Sequence, residues 1–252
     1  MNKINSTVLK SITKPGRYAG GEYGQIIKDK ENVKARFAFC FPDTYEIGMS
    51  NLGMRILYGV LNEEDDVWCE RVYDPWIDMQ EKMREHNLPL CACESGDPIT
   101  EFDMIGFTLQ YEMSYTNVLN MLSLAGLPLY AKDRTDDMPI IIGGGPCAYN
   151  AEPVADFFDL FNIGEGEEML VELCRLYIKM KDEGRYTKQD YLHEAARTIE
   201  GIYVPSFYDV TYNEDGTVKA YTPIYDDIPK QVKKRIIKDM DKAYFPDKVV
   251  MP

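Results

Sequence analysis

The chain has 252 residues, of which 45% are hydrophobic and 12% aromatic, so it is long enough for one large domain or a domain with an appendage. No apolar stretch approaches the ~20 residues that would span a bilayer, and the first six residues lack the apolar segment of a secretory signal. We therefore expect a soluble, cytoplasmic protein with no membrane partner. The net charge of −14 repels phosphate backbones and predicts that this domain alone does not bind nucleic acid, with segment 230–238 as a local basic exception.

The cysteines are scattered through apolar, strand-like contexts, and this distribution predicts reduced core thiols rather than a disulfide framework. Only Cys91 and Cys93 form a close pair, and in a strand their side chains would point the same way. No second pair completes a metal site, so we predict none. The six cysteines are Cys40, Cys69, Cys91, Cys93, Cys147 and Cys174.

Apolar runs and helical periodicities alternate along the chain. Ser50 is predicted to cap the first helix, and Gly126 with Pro128 ends the third. The predicted strands are 37–41, 67–73, 104–109, 139–142 and 158–163, and the predicted helices are 51–62, 76–87, 114–124 and 165–180.

This alternation predicts an α/β fold, with right-handed crossovers and a doubly wound, mainly parallel sheet of five strands. Residues 1–30 are rich in glycine and predict an irregular arm, which leaves 31–200 as the α/β domain. Residues 201–252 predict a β-hairpin extension and a linker, because Asp215-Gly216 is a strong hairpin signal between two strand-like segments.

Ligands of open α/β sheets bind at the carboxyl ends of the strands, where loop amides and helix N-termini converge. Three loops at these ends are unusual, and the third, a triglycine, is either a tight turn or a place where a ligand approaches the backbone. We expect the loops that contain Tyr45, Gln110 and Gly144 to line one concave face. The candidate binding residues are Asp43, Tyr45, Gly48, Ser50 and Asn51 in the first loop, Thr108, Gln110 and Tyr111 in the second, and Gly143, Gly144, Gly145 and Pro146 in the third.

Several motifs together resemble the N-terminal cobalamin-binding-type domain of a radical S-adenosylmethionine protein family, described as Fe-S oxidoreductases of uncharacterised function. The resemblance implies a cobalamin-binding, flavodoxin-like fold. The motifs lie at 41–53, 68–72, 106–112, 143–148 and 163–168, and they span residues 41–168.

The resemblance implies a partner in the same polypeptide, a downstream barrel that holds a 4Fe-4S cluster and S-adenosylmethionine on a C-x-x-x-C-x-x-C triad. This chain has no such triad, so we expect it not to be catalytic alone and assign it no catalytic residue. The cofactor implied here is cobalamin, with Asp43, Tyr45, Gly48, Thr108 and the glycines at 143 and 144 at positions that surround its nucleotide tail and corrin edge.

Tyr45 stands where many cobalamin domains have a histidine that binds cobalt, and a phenol with a pKa of ~10 is a poor donor by comparison. Either the lower face of the corrinoid is empty or water-bound, or the domain has kept the fold without the cofactor. The leading interpretation is an accessory domain that holds a corrinoid or shapes the entrance for an unknown substrate. The alternatives are a cofactor-free scaffold that docks the barrel or a macromolecular substrate such as RNA or ribosomal protein, and a free-standing nucleotide-binding domain.

Overall fold

The centre of the molecule is a six-stranded sheet in the order β2-β1-β3-β4-β5-β6, of which the first five strands are parallel and β6 is antiparallel. The computed structural model describes residues 6–247 and 250–251, so the outermost residues of the predicted arm and linker lie outside the described residues. The strands are β1 Ala35–Phe41, β2 Val67–Tyr73, β3 Met104–Thr108, β4 Ile140–Gly144, β5 Leu160–Asn162 and β6 Ile202–Tyr203.

Helices cover both faces of the sheet, which confirms the doubly wound α/β fold. On one face Phe37 and Phe39 of β1 pack with residues of α3, α6 and α7, and on the other Ala38 and Cys40 pack with α4 and α5. This alternation follows from the period of two along a strand. The helices are α1 Ser6–Lys10, α2 Tyr45–Gly48, α3 Leu52–Glu63, α4 Ile77–His86, α5 Tyr115–Ala125, α6 Gly166–Asp182 and α7 Lys188–Thr198.

Two details differ from the sequence predictions. The sheet has a sixth strand, β6, because Ile202 pairs with Asn162 of β5; a two-residue strand is too short to show a period. The cap of α3 is Asn51, whose side chain accepts a hydrogen bond from the Met54 amide at 2.9 Å, whereas the Ser50 hydroxyl donates back to the Ile47 carbonyl at 3.0 Å.

The strand order places a topological switch between β1 and β3. The chain runs from β1 outward to β2 and then returns across β1 to β3, so the connections on either side lie on opposite faces of the sheet. Such an arrangement opens a crevice outside the carboxyl ends of the strands. The loops singled out in the sequence leave the sheet at this edge.

The arm is anchored by polar contacts along the β2 side of the domain. The Lys28 ammonium donates to the carbonyls of Asn62, Glu64 and Val67 at 2.9, 2.6 and 2.6 Å. Glu22 is buried and pairs with Arg71 of β2. A segment that is irregular in backbone is therefore fixed by its side chains.

Strands β7 Tyr208–Tyr212 and β8 Val218–Pro223 form the antiparallel hairpin that the sequence predicts. Beyond it, Arg235 bridges the backbone of Gly164: its amide donates to the Ile163 carbonyl at 2.9 Å, and its carbonyl accepts from the Glu165 amide at 3.1 Å. The Arg235 guanidinium also pairs with Glu168 of α6. The tail is thereby docked at the carboxyl end of β5.

None of the helices in the described ranges is long and apolar enough to cross a membrane.

Candidate functional site

A cavity of about 230 Å³ opens at the carboxyl ends of β3, β4 and β5, between the sheet and helices α3 and α6. We call it the strand-end cavity. Its inner walls are apolar, and its polar groups come from the last residues of the three strands and the loops that follow. The residues that define it are Leu57, Thr108, Gln110, Gly144, Gly145, Asn162 and Leu170.

The second and third predicted loops meet at this cavity. Gln110 Nε2 donates to Thr108 Oγ1 at 2.5 Å, and the Leu109 amide donates to the Gly144 carbonyl at 2.7 Å. Gly145 has a φ of +93°, and a Cβ at this position would lie 3.0 Å from the Leu109 carbonyl oxygen. The tight approach of the two loops therefore requires glycine at position 145.

Gly144 has a different role, because a Cβ there would meet only the Cβ of Asn162, at 3.7 Å. Its half-buried backbone forms part of the cavity wall. Both interpretations of the triglycine therefore apply, each to a different residue. Gly145 makes the tight turn, and Gly144 leaves room for a ligand to approach the backbone. Pro146, which follows, is exposed outside the cavity.

Asn162 is the most unusual polar group of the cavity. It is only 4% exposed, and its Oδ1 atom has no hydrogen-bond partner among the described residues. Buried polar atoms are nearly always paired, and an unpaired one costs about 1–3 kcal/mol. A ligand with a hydrogen-bond donor would remove this cost, so the cavity is suited to such a ligand.

The charge of the lining is negative. Glu165 and Glu167 lie among the lining residues, and no Lys, Arg or His of the described chain is among them. The Glu165 carboxylate accepts a hydrogen bond from the Ile237 amide of the docked tail. This lining suits a neutral donor and disfavours a nucleoside di- or triphosphate, which needs cations or a phosphate-binding loop.

Tyr45 does not line the strand-end cavity. It begins α2, its ring meets that of Tyr73 edge-on at 5.2 Å, and its hydroxyl donates to Glu22 of the arm. Burial, and then the neighbouring Glu22 carboxylate, raise the pKa of this phenol. Tyr45 is therefore held as a neutral hydrogen-bond donor on the β2 side of the edge.

The other predicted residues of the first loop pack against or hydrogen-bond to their own neighbours. Gly48 lies against Tyr73, because a Cβ there would come within 2.6 Å of that ring. Asp43 Oδ1 accepts from the Thr44 amide at 2.6 Å, and Asn51 caps α3. Tyr111 of the second loop is 49% exposed at the rim. The structure thus brings Thr108, Gln110 and the glycines at 144 and 145 together, whereas none of the predicted binding residues of the first loop lines the cavity.

Asn162, Glu165 and Glu167 were not among the predicted binding residues. The sequence did contain a signal for Asn162, since an amide side chain follows the apolar pair Leu160-Phe161 two positions before Gly164. The carboxylates at 165 and 167 were interpreted only as favourable charges at a helix N-terminus, which they also are.

Within the described part of the chain, no three His, Cys, Asp or Glu residues are grouped so as to hold a metal ion. Burial raises the pKa of the Cys40, Cys69 and Cys174 thiols, as expected of core residues. These thiols are apolar packing groups rather than thiolate ligands.

Residues 53–205, more than half of the chain, match the family described as radical SAM proteins, N-terminal. The chain belongs to this family. This membership confirms the resemblance to the N-terminal region of radical S-adenosylmethionine proteins that the motifs predicted.

An uncharacterized protein of Methanocaldococcus jannaschii is 31% identical over 166 residues, which are 65% of this chain and 30% of that protein. The chain therefore spans under a third of the length of this curated relative. Among solved structures, the radical S-adenosylmethionine methyltransferase TsrM from Kitasatospora setae, determined with cobalamin and a 4Fe-4S cluster bound, is 15% identical with a TM-score of 0.40. The match covers 79% of this chain and 31% of TsrM.

Proposed function

We propose that this chain is the accessory domain of a radical S-adenosylmethionine enzyme and that it holds a corrinoid at the strand-end cavity. The observation that carries the proposal is the cavity itself: apolar walls, an open backbone face at Gly144 and an unpaired amide oxygen on Asn162, all at the carboxyl edge of the sheet. Membership in the family supports the link to a radical enzyme.

The cavity residues would hold the nucleotide tail of the corrinoid. Leu57 and Leu170 supply apolar walls, Gly144 allows a ring to approach the backbone, and Asn162 Oδ1 accepts a hydrogen bond from a hydroxyl or amide donor. Thr108 and Gln110 add polar contacts at the mouth. When bound, the corrinoid supplies a cobalt centre that can carry a methyl group.

The domain would leave the lower face of the cobalt without a side-chain ligand. The Tyr45 phenol is engaged with Glu22 on the β2 side, and its raised pKa keeps it protonated at neutral pH. Tyr45→Phe should therefore leave the visible spectrum of the bound corrinoid unchanged. A large spectral change in this variant would show that the phenol reaches the cobalt.

The same edge carries a surface suited to a second domain. Large apolar side chains are exposed on the segments that follow β1, β2 and β3, including the starts of α2 and α4: Ile47 is 51% exposed, Trp76 49%, Ile77 60% and Met113 79%. Exposed apolar groups in this density mark an interaction surface. We propose that the downstream catalytic barrel of the same polypeptide covers them and contributes the cluster and S-adenosylmethionine.

Equilibrium dialysis of the chain against hydroxocobalamin and against cobinamide, which lacks the nucleotide tail, tests the proposal. Cobalamin should bind more tightly, and Gly144→Val should abolish the preference by filling the cavity. Gly16→Val, in the arm, is the control for glycine replacement, because no atom lies within 4 Å of a Cβ added there and Gly16 does not line the cavity. Equal binding of the two corrinoids, or binding that survives Gly144→Val, would contradict it.

The second candidate is the cofactor-free scaffold. The observation in its favour is the charge of the cavity lining, with Glu165 and Glu167 and no cation to balance the phosphodiester of a cobalamin tail. Retention of neither corrinoid by the complete polypeptide would support this alternative.

A further inference from the structure

A second concave site lies beside the triglycine loop, on the far side of β5. It has a volume of about 290 Å³ and is walled by four tyrosines from three separate parts of the chain. Tyr149 follows β4, Tyr203 lies in β6, and Tyr208 and Tyr221 belong to the hairpin. We call it the tyrosine groove.

The rings of the groove are held in place before any ligand arrives. The Tyr203 hydroxyl donates to Glu152 Oε1 at 2.5 Å, and the Tyr208 hydroxyl donates to the Pro229 carbonyl at 2.8 Å. The two ring centroids are 5.3 Å apart. Tyr149 is nevertheless 60% exposed and Tyr221 40% exposed, so flat aromatic faces remain open to solvent.

A concentration of unpaired positive charge borders these rings. Lys230 lines the groove, and Lys233 and Lys234 follow within the same exposed segment. None of the three forms an ion pair with any residue in the described ranges, whereas Arg235 beside them is paired with Glu168 and Glu172. In a chain with a net charge of −14, these three lysines form a local cluster of cations without carboxylate partners among the described residues, although only Lys230 lines the groove itself.

We propose that the tyrosine groove binds single-stranded RNA, with bases stacked on Tyr149 and Tyr221 and phosphates contacted by Lys230, Lys233 and Lys234. Aromatic platforms flanked by cations recognise single strands in this way, and folded RNA presents unpaired bases in its loops. The Glu152 carboxylate, which accepts the Tyr203 hydroxyl, retains acceptor sites that can bind the amino groups of nucleobases.

This site is independent of the proposed corrinoid site and does not require a cofactor. It also refines the expectation from net charge, because a total of −14 does not exclude a local cluster of lysines at one surface. The Ala148-Tyr149 wall of the groove continues from the loop that lines the strand-end cavity. A bound strand would therefore pass beside the mouth of that cavity.

Fluorescence anisotropy of the chain with a labelled, unstructured RNA of about 12 nucleotides, a length within the usual site sizes, tests the proposal. Tyr149→Ala and Tyr221→Ala should each weaken binding by roughly tenfold through loss of one stacked base. Tyr149→Phe should retain binding, because the ring face remains. Tyr212→Ala is the matched control, since Tyr212 is 62% exposed on the same hairpin but does not line the groove.

The salt dependence provides a second readout. Replacing Lys233 and Lys234 with Gln should reduce the slope of log K against log salt concentration by about 1.4, since each phosphate contact on a single strand contributes about 0.7. Lys132→Gln, on the exposed segment before β4, should leave the slope unchanged.

Absence of RNA binding at about 50 mM salt, where phosphate contacts are strong, would overturn the proposal. Unchanged affinity in both tyrosine-to-alanine variants would overturn the location. Equal displacement by polyglutamate would assign the groove to an acidic protein, and equal affinity for DNA of the same sequence would overturn the choice of RNA.

Discussion

The two halves of the carboxyl edge of the sheet differ in whether their polar side chains already have partners. At the ends of β3, β4 and β5 the loops leave a cavity, and Asn162 Oδ1 is buried there without a partner. At the ends of β1 and β2, Tyr45 and Arg71 are bound to Glu22 of the arm and Arg71 also pairs with Glu94, so that only the Tyr73 hydroxyl is buried there without a partner among the described residues. The difference shows that a strand-end position does not by itself define a binding residue. What matters is whether the neighbouring elements have already satisfied its polar groups.

We call the ends of β1 and β2 the closed half and the ends of β3, β4 and β5 the open half. Replacing Arg71 removes the ion pairs of the closed half and should have the largest effect on stability. Burial opposes its charge, but the carboxylates of Glu94 and Glu22 raise its pKa, so it is charged at neutral pH. Arg71→Met leaves both carboxylates buried without a cation to balance their charge and should lower the free energy of unfolding by about 3–5 kcal/mol. Urea denaturation measures this change.

Arg185→Gln is the matched control for Arg71→Met, because Arg185 pairs with Glu183 and both side chains are 44% exposed. Its effect should be below about 1 kcal/mol. A loss at Arg71 no larger than this would show that the closed half does not hold the arm.

The effect of Asp74 on the pH dependence of stability is a second test of the closed half. Burial raises its pKa from 3.8 to about 7, Asn120 donates a hydrogen bond that opposes the rise, and Asp43 adds to it. The folded state therefore binds this proton more tightly than the unfolded state. Its contribution to stability should fall as pH rises from about 4 to about 7, by up to about 1.4 kcal/mol per pH unit.

Asp74→Asn should remove this contribution, so the difference in free energy of unfolding between variant and wild type should grow across the same window. Urea titrations at several pH values measure it. A constant difference would show that Asp74 is ionised throughout, as in an open, solvated edge.

Two adjacent glycines of the open half should respond differently to replacement by alanine. A Cβ at Gly143 would lie 2.6 Å from the Phe161 ring, so Gly143→Ala should cost about 1–3 kcal/mol of stability by overpacking. Gly144→Ala, which meets no atom closer than 3.7 Å, should leave stability nearly unchanged and weaken corrinoid binding instead. The opposite pattern in thermal unfolding and dialysis would contradict the assignment of Gly144 to the cavity wall.

The smallest effect is expected at Asn162. Asn162→Leu removes a buried oxygen that has no partner among the described residues, so it should keep or raise stability by about 1 kcal/mol. The same change should weaken corrinoid binding by removing the acceptor. A clear loss of stability would mean that Asn162 is a structural residue, and the open half would then resemble the closed one.

The sequence predicted the elements whose signals are local and long. The five parallel strands and the hairpin at Asp215-Gly216 were predicted because apolar runs and a turn pair identify them without knowledge of their neighbours. The two-residue strand β6 has no such signal, and it forms only because Ile202 reaches β5. The cap of α3 was displaced by one residue, from Ser50 to Asn51, a shift within the usual uncertainty of a helix end.

The site was predictable only as a set of loops. Spacing placed Tyr45, Gln110 and Gly144 at strand ends, but the direction of Tyr45 depends on Tyr73 and on Glu22, which is 23 positions away. No local pattern encodes such a contact. Asn162 was missed for a related reason, since a buried amide is informative only when its partners are counted.

The docking of the tail at Gly164 has a consequence for how the sequence can evolve. Gly164 has a φ of +118°, and a Cβ there would lie 2.3 Å from the Arg235 carbonyl oxygen. A substitution at 164 would therefore displace a segment 71 positions further along the chain. Gly164 and the tail are thus structurally coupled, because a side chain at 164 would strain the local backbone and also displace the docked segment.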